Sequence, residues 1–151
     1  MQKNNWETKK LGDVCELITR GISPKYIDNG GVLVLNQKCI RNHSVNFDLG
    51  RRHDINSKAV SSGKLIQEGD VLVNSTGTGT LGRVAQVTAI HDKTTVDSHV
   101  TILRPKKDLF FHKFFIYMLI SIEQQIKDSG EGASGQTELP RQVLENRFKI
   151  S

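Results

Sequence analysis

Cysteine and proline are scarce in this 151-residue chain, at 2 and 3 residues, and long apolar runs are missing altogether. Cys15 and Cys39 stand alone with no C-x-x-C spacing. That argues against a disulfide or zinc site and for reduced core thiols in a cytoplasmic protein. The longest apolar run, Phe114 to Ile120, falls far short of the roughly 18 residues a membrane span needs. Met1 to Trp6 carries no apolar h-region, so no secretory signal is expected there. Signs of catalytic and metal chemistry are equally thin. Glu7-Thr8-Lys9 is the only E-x-K triplet and has no acidic partner before it, which speaks against a nuclease site. His91-Asp92 and Asp97-Ser98-His99 bracket a turn without a recognised ligand spacing. No metal is expected, and His99 reads as a structural residue.

Charge is present and unevenly placed. The formal net charge is +5; up to Lys64 there are 11 Lys and Arg against 6 Asp and Glu, and from Leu65 onward 10 against 10. A basic first part suits a polyanion, although basic soluble proteins are common enough that charge alone decides little.

The most informative stretch runs from Leu65 to Ala85. Gly69-Asp70 reads as a turn opening the short buried strand Val71-Leu72-Val73, and a loop of glycine and hydroxyl residues follows, from Ser75 to Gly82. Such a loop lets a large polar ligand approach the backbone closely. Gly77 to Gly82 also matches G-x-G-x-x-G, and Val84 extends the match to the kinase form. A dinucleotide site needs that pattern to open a helix, whereas Arg83 to Ile90 alternates like a strand. A kinase would further need V-A-I-K, H-R-D and D-F-G motifs, all absent. A nucleotide- or cofactor-binding enzyme using this loop is the rival reading. A protein-interaction module built on the aromatic helix described next is a third.

The pattern predicts a helical turn running into a strand over Leu11 to Thr19, and a loop broken by Gly21 and Pro24 over Arg20 to Tyr26. A turn at Asn29-Gly30-Gly31 precedes a strand over Val32 to Leu35, and Arg41 to Ser44 is a polar turn. A short helix is expected from Ser57 to Gly63. Strands follow near Val84 to Ile90 and Ser98 to Leu103, the second stopped by Pro105. A helix capped by Asp108 runs to Lys127, with Phe111, Phe114, Phe115, Met118, Leu119, Ile122 and Ile126 along its core side. A second glycine-rich loop spans Gly130 to Thr137. Leu139 to Leu144 is a short helix with Pro140 near its start, and Phe148 to Ser151 a last strand. Length and pattern together give one compact α+β domain over 1–151, with short twisted strands, long irregular loops and one main amphipathic helix.

In order along the chain stand Trp6, Leu11-Gly12-Asp13-Val14, Gly21-Ile22-Ser23-Pro24, Gly69-Asp70-Val71-Leu72 and Ser75-Thr76-Gly77-Thr78-Gly79. Gly82-Arg83-Val84-Ala85, His99 to Pro105, the aromatic helix and Gly135-Gln136-Thr137-Glu138-Leu139 complete the series. Taken together these pieces resemble the target-recognition domain of the specificity (S) subunit of Type I restriction-modification systems. The resemblance implies sequence-specific binding of double-stranded DNA without a cofactor. It implies catalysis by partner methyltransferase (M) and restriction (R) subunits, and pairing with a second recognition domain or a second copy. No N-P-P-Y or D-P-P-Y tetrapeptide marks this chain as a methyltransferase itself. The family's spacer helix is expected where the sequence stops, at Ser151, so a half-subunit, a truncated product or an excised domain all fit.

A DNA reader needs cations for phosphates and amide, guanidinium or hydroxyl groups for base edges. Arg20, Lys25, Lys38, Arg41 and Arg83 are the candidate cations. Asn36, Gln37, Asn42 and Gln136 are candidate adenine readers, and Ser23, Ser75, Thr76, Thr78 and Thr137 candidate phosphate donors. Against each stands a plain alternative: Asn36 and Asn42 as turn formers, the lysines as solvated surface.

Overall fold

A run such as Val71-Leu72-Val73, with no polar residue to alternate, makes sense only where a strand is covered on both faces. The computed structural model describes residues 9–108, 112–130 and 138–150 and shows this arrangement. The chain starts with β1 (Lys9–Lys10), the helical turn α1 (Leu11–Val14) and β2 (Cys15–Arg20). Next come β3 (Tyr26–Ile27), β4 (Val32–Leu35), the hairpin strands β5 (Ile40–Arg41) and β6 (Ser44–Val45), and β7 (Arg51–His53). The strands β8 (Val71–Asn74), β9 (Val84–Gln86), β10 (Thr94–Val96) and β11 (Val100–Pro105) follow. Helices α2 (His112–Asp128) and α3 (Arg141–Asn146) and strand β12 (Lys149–Ile150) complete it.

Two four-stranded sheets carry the fold. One is antiparallel in the order β2-β11-β8-β9; the other runs β10-β4-β7-β3, with β10 parallel to β4. Val71, Val73 and Leu103 face a cluster that includes Phe115, Leu119, Ile122 and Ile126 of α2. Leu72, Ile102 and Val100 face the opposite cluster, with Leu35, Ile40 and Val96 of the second half. The first sheet is therefore the middle layer. Each of its wholly buried aliphatic side chains contributes about 1.5–3 kcal/mol.

The pin at one end of this layer is an ion pair. Arg104 Nε and Nη2 meet the two Asp70 carboxylate oxygens at 2.8 and 2.9 Å, and Asp70 also accepts from the Gln67 N–H at 2.7 Å. Asp70 is 1% exposed, which explains why Gly69-Asp70 opens the strand as it does. Both thiols are buried and free, and burial pushes Cys15 up to about 12.

Several expectations need correction. The helix expected from Ser57 to Gly63 is absent; only a 3-10 turn at Ser62–Lys64 forms, the segment lacking an apolar stripe to bury. The strand expected to Ile90 leaves the sheet after Gln86, and the strand expected from Ser98 begins at Val100 because Asp97 accepts the His99 N–H to make a turn. Phe114 is 52% exposed, because it lies about 100° around the helix from the Phe115 stripe. Helix α3 starts two residues later than expected, at Arg141, with Pro140 at its cap. Trp6, Phe111, most of the Gly130–Thr137 loop and Ser151 lie outside the described residues, as do the residues that follow the expected Asp108 cap. Among the described residues no helix is long and apolar enough to cross a membrane.

Removing one member of the buried pair strands the other. Asp70→Ala should cost roughly 3–5 kcal/mol in urea unfolding. Asp92→Ala, which breaks the exposed 2.8 Å Arg52–Asp92 pair, should leave the urea midpoint nearly unchanged.

Candidate nucleic-acid interface

Strand β8 ends at Asn74, and the glycine loop leaves the sheet there. Gly82 brings the loop back with φ +91°, its Cα so close to α2 that an added Cβ would lie 2.9 Å from the Lys127 backbone. The segment from Asn36 to His43 runs alongside. At one end Gln37 Nε2 donates to the Thr76 carbonyl at 2.8 Å, and Asn74 Nδ2 donates to the Gln37 carbonyl at 3.2 Å. At the other end the hairpin tip is tied down by Glu123. Its carboxylate accepts from the Val84 N–H at 3.0 Å, meets His43 Nε2 at 3.1 Å and pairs with Lys127 at 3.3 Å. One continuous ridge results, built from two segments nearly 40 residues apart in sequence.

The tip of the β5–β6 hairpin is Asn42-His43, with φ +54° and +57°. A two-residue loop with both φ positive matches the twist of a hairpin, and a non-glycine residue there costs roughly 1–2 kcal/mol. Beside this tip Arg41, Asn42, His43, Arg83, Glu123 and Lys127 line an open cleft of about 310 Å³. Lys38, Arg41 and Arg83 have no ion-pair partner among the described residues. Three cations along one ridge, none ion-paired among the described residues, suit an anionic ligand.

The candidate residues sort clearly. Lys38, Arg41, Asn42, Thr78 and Arg83 lie on the ridge. Ser75 does not present its hydroxyl: it is wholly buried and bonded to Thr101 Oγ1 at 2.5 Å. Thr76 is occupied as well, its hydroxyl lying between Gln37 and His99. Gln37 has both amide hydrogens committed to Thr76, which leaves no donor for a bidentate adenine contact. Asn36 is a turn former, its Oδ1 accepting the Lys38 N–H at 2.9 Å. Arg20 is paired with Glu138 at 2.9 Å and donates to the Leu139 carbonyl. Ser23 and Lys25 stand on the β2–β3 connection, where the Lys25 N–H bonds His53, and neither lines the cleft beside the hairpin tip. Gln136 and Thr137 lie outside the described residues. His43, Glu123 and Lys127 were not among the candidates. The i,i+4 spacing of Glu123 and Lys127 marks a helix pair, but nothing local shows that a hairpin 80 residues away would join it.

The rival reading of the loop loses its footing here. Val84 to Gln86 form strand β9, so no helix N-terminus follows Gly77–Gly82 to receive a pyrophosphate.

The sequence matches the Type I restriction modification DNA specificity domain over residues 3–151, and the chain belongs to that family. The family is non-catalytic and serves DNA-target recognition. Among solved structures the chain is similar to the Type I restriction-modification system S subunit from M. genitalium, with 15% identity and TM-score 0.65, covering 99% of this chain and 36% of that one. It is similar to a chain from a structure showing complex assembly and conformational transition of the type I R-M system, with 18% identity, TM-score 0.71 and coverage of 99% and 34%. The HsdS subunit from Thermoanaerobacter tengcongensis matches with 16% identity, TM-score 0.63 and coverage of 95% and 36%. At these identities the likeness establishes the fold, and the chain spans about a third of each solved chain. No curated protein matches it.

Burial raises the Glu123 carboxyl, but the Val84 N–H, His43 and Lys127 outweigh it and hold the group below its ordinary value. Its stabilisation is therefore fully present above the unfolded carboxylate pKa of about 4.3 and is lost as pH falls through the lower folded value. Urea midpoints measured against pH should show wild type more stable than Glu123→Gln near neutrality, with the gap closing in acid.

Proposed function

We propose that this chain reads a short double-stranded DNA sequence, one half of a bipartite target, for a Type I restriction-modification complex. Partner methyltransferase and restriction subunits would carry out the chemistry. A second recognition domain or a second copy would read the other half. The observation that carries the reading is the ridge of Lys38, Arg41 and Arg83, three cations without ion-pair partners among the described residues, with Asn42 at its tip. Cations fix the register on the phosphates, while a guanidinium or exposed amide meets base edges. The cytoplasm, where DNA and partner subunits meet, is the proposed location.

Selection from a randomised duplex library at low salt should enrich a motif of a few base pairs; uniform recovery would contradict sequence reading. The double variant Arg41→Ala/Arg83→Ala should bind more weakly. The slope of log affinity against log salt should flatten by up to about 0.9 for each phosphate that is no longer neutralised. An unchanged slope would remove this ridge as the DNA face.

A further inference from the structure

His99 ends a hydrogen-bond chain that runs from Gln37 through Thr76. Gln37 Nε2 lies 2.8 Å from the Thr76 carbonyl oxygen, which only accepts, so the amide nitrogen must face it. The same nitrogen lies 2.5 Å from Thr76 Oγ1 and donates there too. The Thr76 hydroxyl thus accepts from Gln37 and keeps one proton to give. His99 Nδ1 lies 2.8 Å from Thr76 Oγ1 and is an acceptor within reach of that proton. With the Thr76 proton given to Nδ1 the neutral ring carries its own proton on Nε2; the other tautomer would have Thr76 accept twice and leave its proton without this acceptor. His99 is exposed, its own N–H is held by Asp97 Oδ1 at 3.0 Å, and its Nε2 has no partner among the described residues.

His53 shows the contrast. It is wholly buried, and both nitrogens are used: Nδ1 accepts from the Lys25 N–H and Nε2 meets the Lys58 carbonyl, each at 2.8 Å. His53, a buried structural histidine, is thus bonded on both sides. His99 is bonded on one side only, beside the glycine loop and the ridge.

We propose that His99 is a specificity-determining residue, offering Nε2–H to a hydrogen-bond acceptor on a base edge in the major groove. Guanine O6 and N7 and thymine O4 have the required chemistry. Gln37 and Thr76 are positioning residues that fix the tautomer and ring plane from behind. The inference rests on the DNA-reading function proposed above, and it reverses the sequence-based expectation that His99 is purely structural.

The test has two readouts on the full chain. Nitrogen-detected NMR at alkaline pH, where the ring is neutral, should show His99 protonated on Nε2 and bare on Nδ1. Thr76→Val should give mixed tautomers. Duplex selection should then be repeated with His99→Ala and His99→Gln. The alanine variant should lose preference at one base pair, with discrimination there falling roughly 5- to 150-fold and other positions kept. The glutamine variant, which retains a neutral donor, should recover part of it. An Nδ1-protonated ring overturns the inference. So does an unchanged motif and affinity in His99→Ala while wild type selects a motif. Failure of wild type to select any motif overturns the DNA-reading function as well.

Discussion

The Asp70–Arg104 pair is the constraint from which the placement of the interface follows. It joins the first residue before β8 to the penultimate residue of β11, and Arg104 Nη2 reaches on to the Leu65 carbonyl at 3.1 Å. With those ends fixed, β8 and β11 pair in one register, Val73 opposite Thr101 and Leu72 opposite Ile102. A slip of one residue would turn Val71 and Val73 away from α2 and Leu72 toward it, exchanging both core faces at once. The glycine loop leaves the far end of β8, so its origin is set by the same register.

That dependence explains why the loop is polar twice over. Its first hydroxyls face inward and serve the fold: Ser75 bonds the β11 residue Thr101, and Thr76 is held between Gln37 and His99. The outer part, with Thr78 and Arg83, faces outward. A sequence shows a hydroxyl but not what it faces, and so Ser75 and Thr76 pass for ligand donors until the strand ends are located. The same holds for the basic first half of the chain. Arg20 is neutralised by Glu138, Arg52 by Asp92, Arg51 stacks 3.7 Å from the Tyr26 ring centre, and Lys64 donates to Thr19 and the Arg20 carbonyl. The cations of that half that lack an ion-pair partner among the described residues are fewer than the composition implies, and they include Lys38 and Arg41.

Elements whose cause is local were legible in the sequence. The α1–β2 turn, β4 over Val32–Leu35, the Phe115–Ile126 stripe and α3 after Pro140 all follow from nearby residues. Strand β10 was not legible, because it pairs in parallel with β4 some 60 residues earlier and has only three residues of its own. Strands β3 and β5 to β7 are equally short and are defined by their partners. The family resemblance was legible from ordered motifs over nearly the whole chain, and the family match over residues 3–151 agrees with it. The Glu123 tie was not, since its three partners come from β9, the hairpin and α2.

The most direct measurement is an amide chemical-shift titration of the full chain with the duplex it selects. The account predicts that the largest changes fall on residues 37–44 and 76–84 and on His99. Changes concentrated instead on the exposed Phe114 and Tyr117 face of α2, or around Lys25 on the β2–β3 connection, would contradict it.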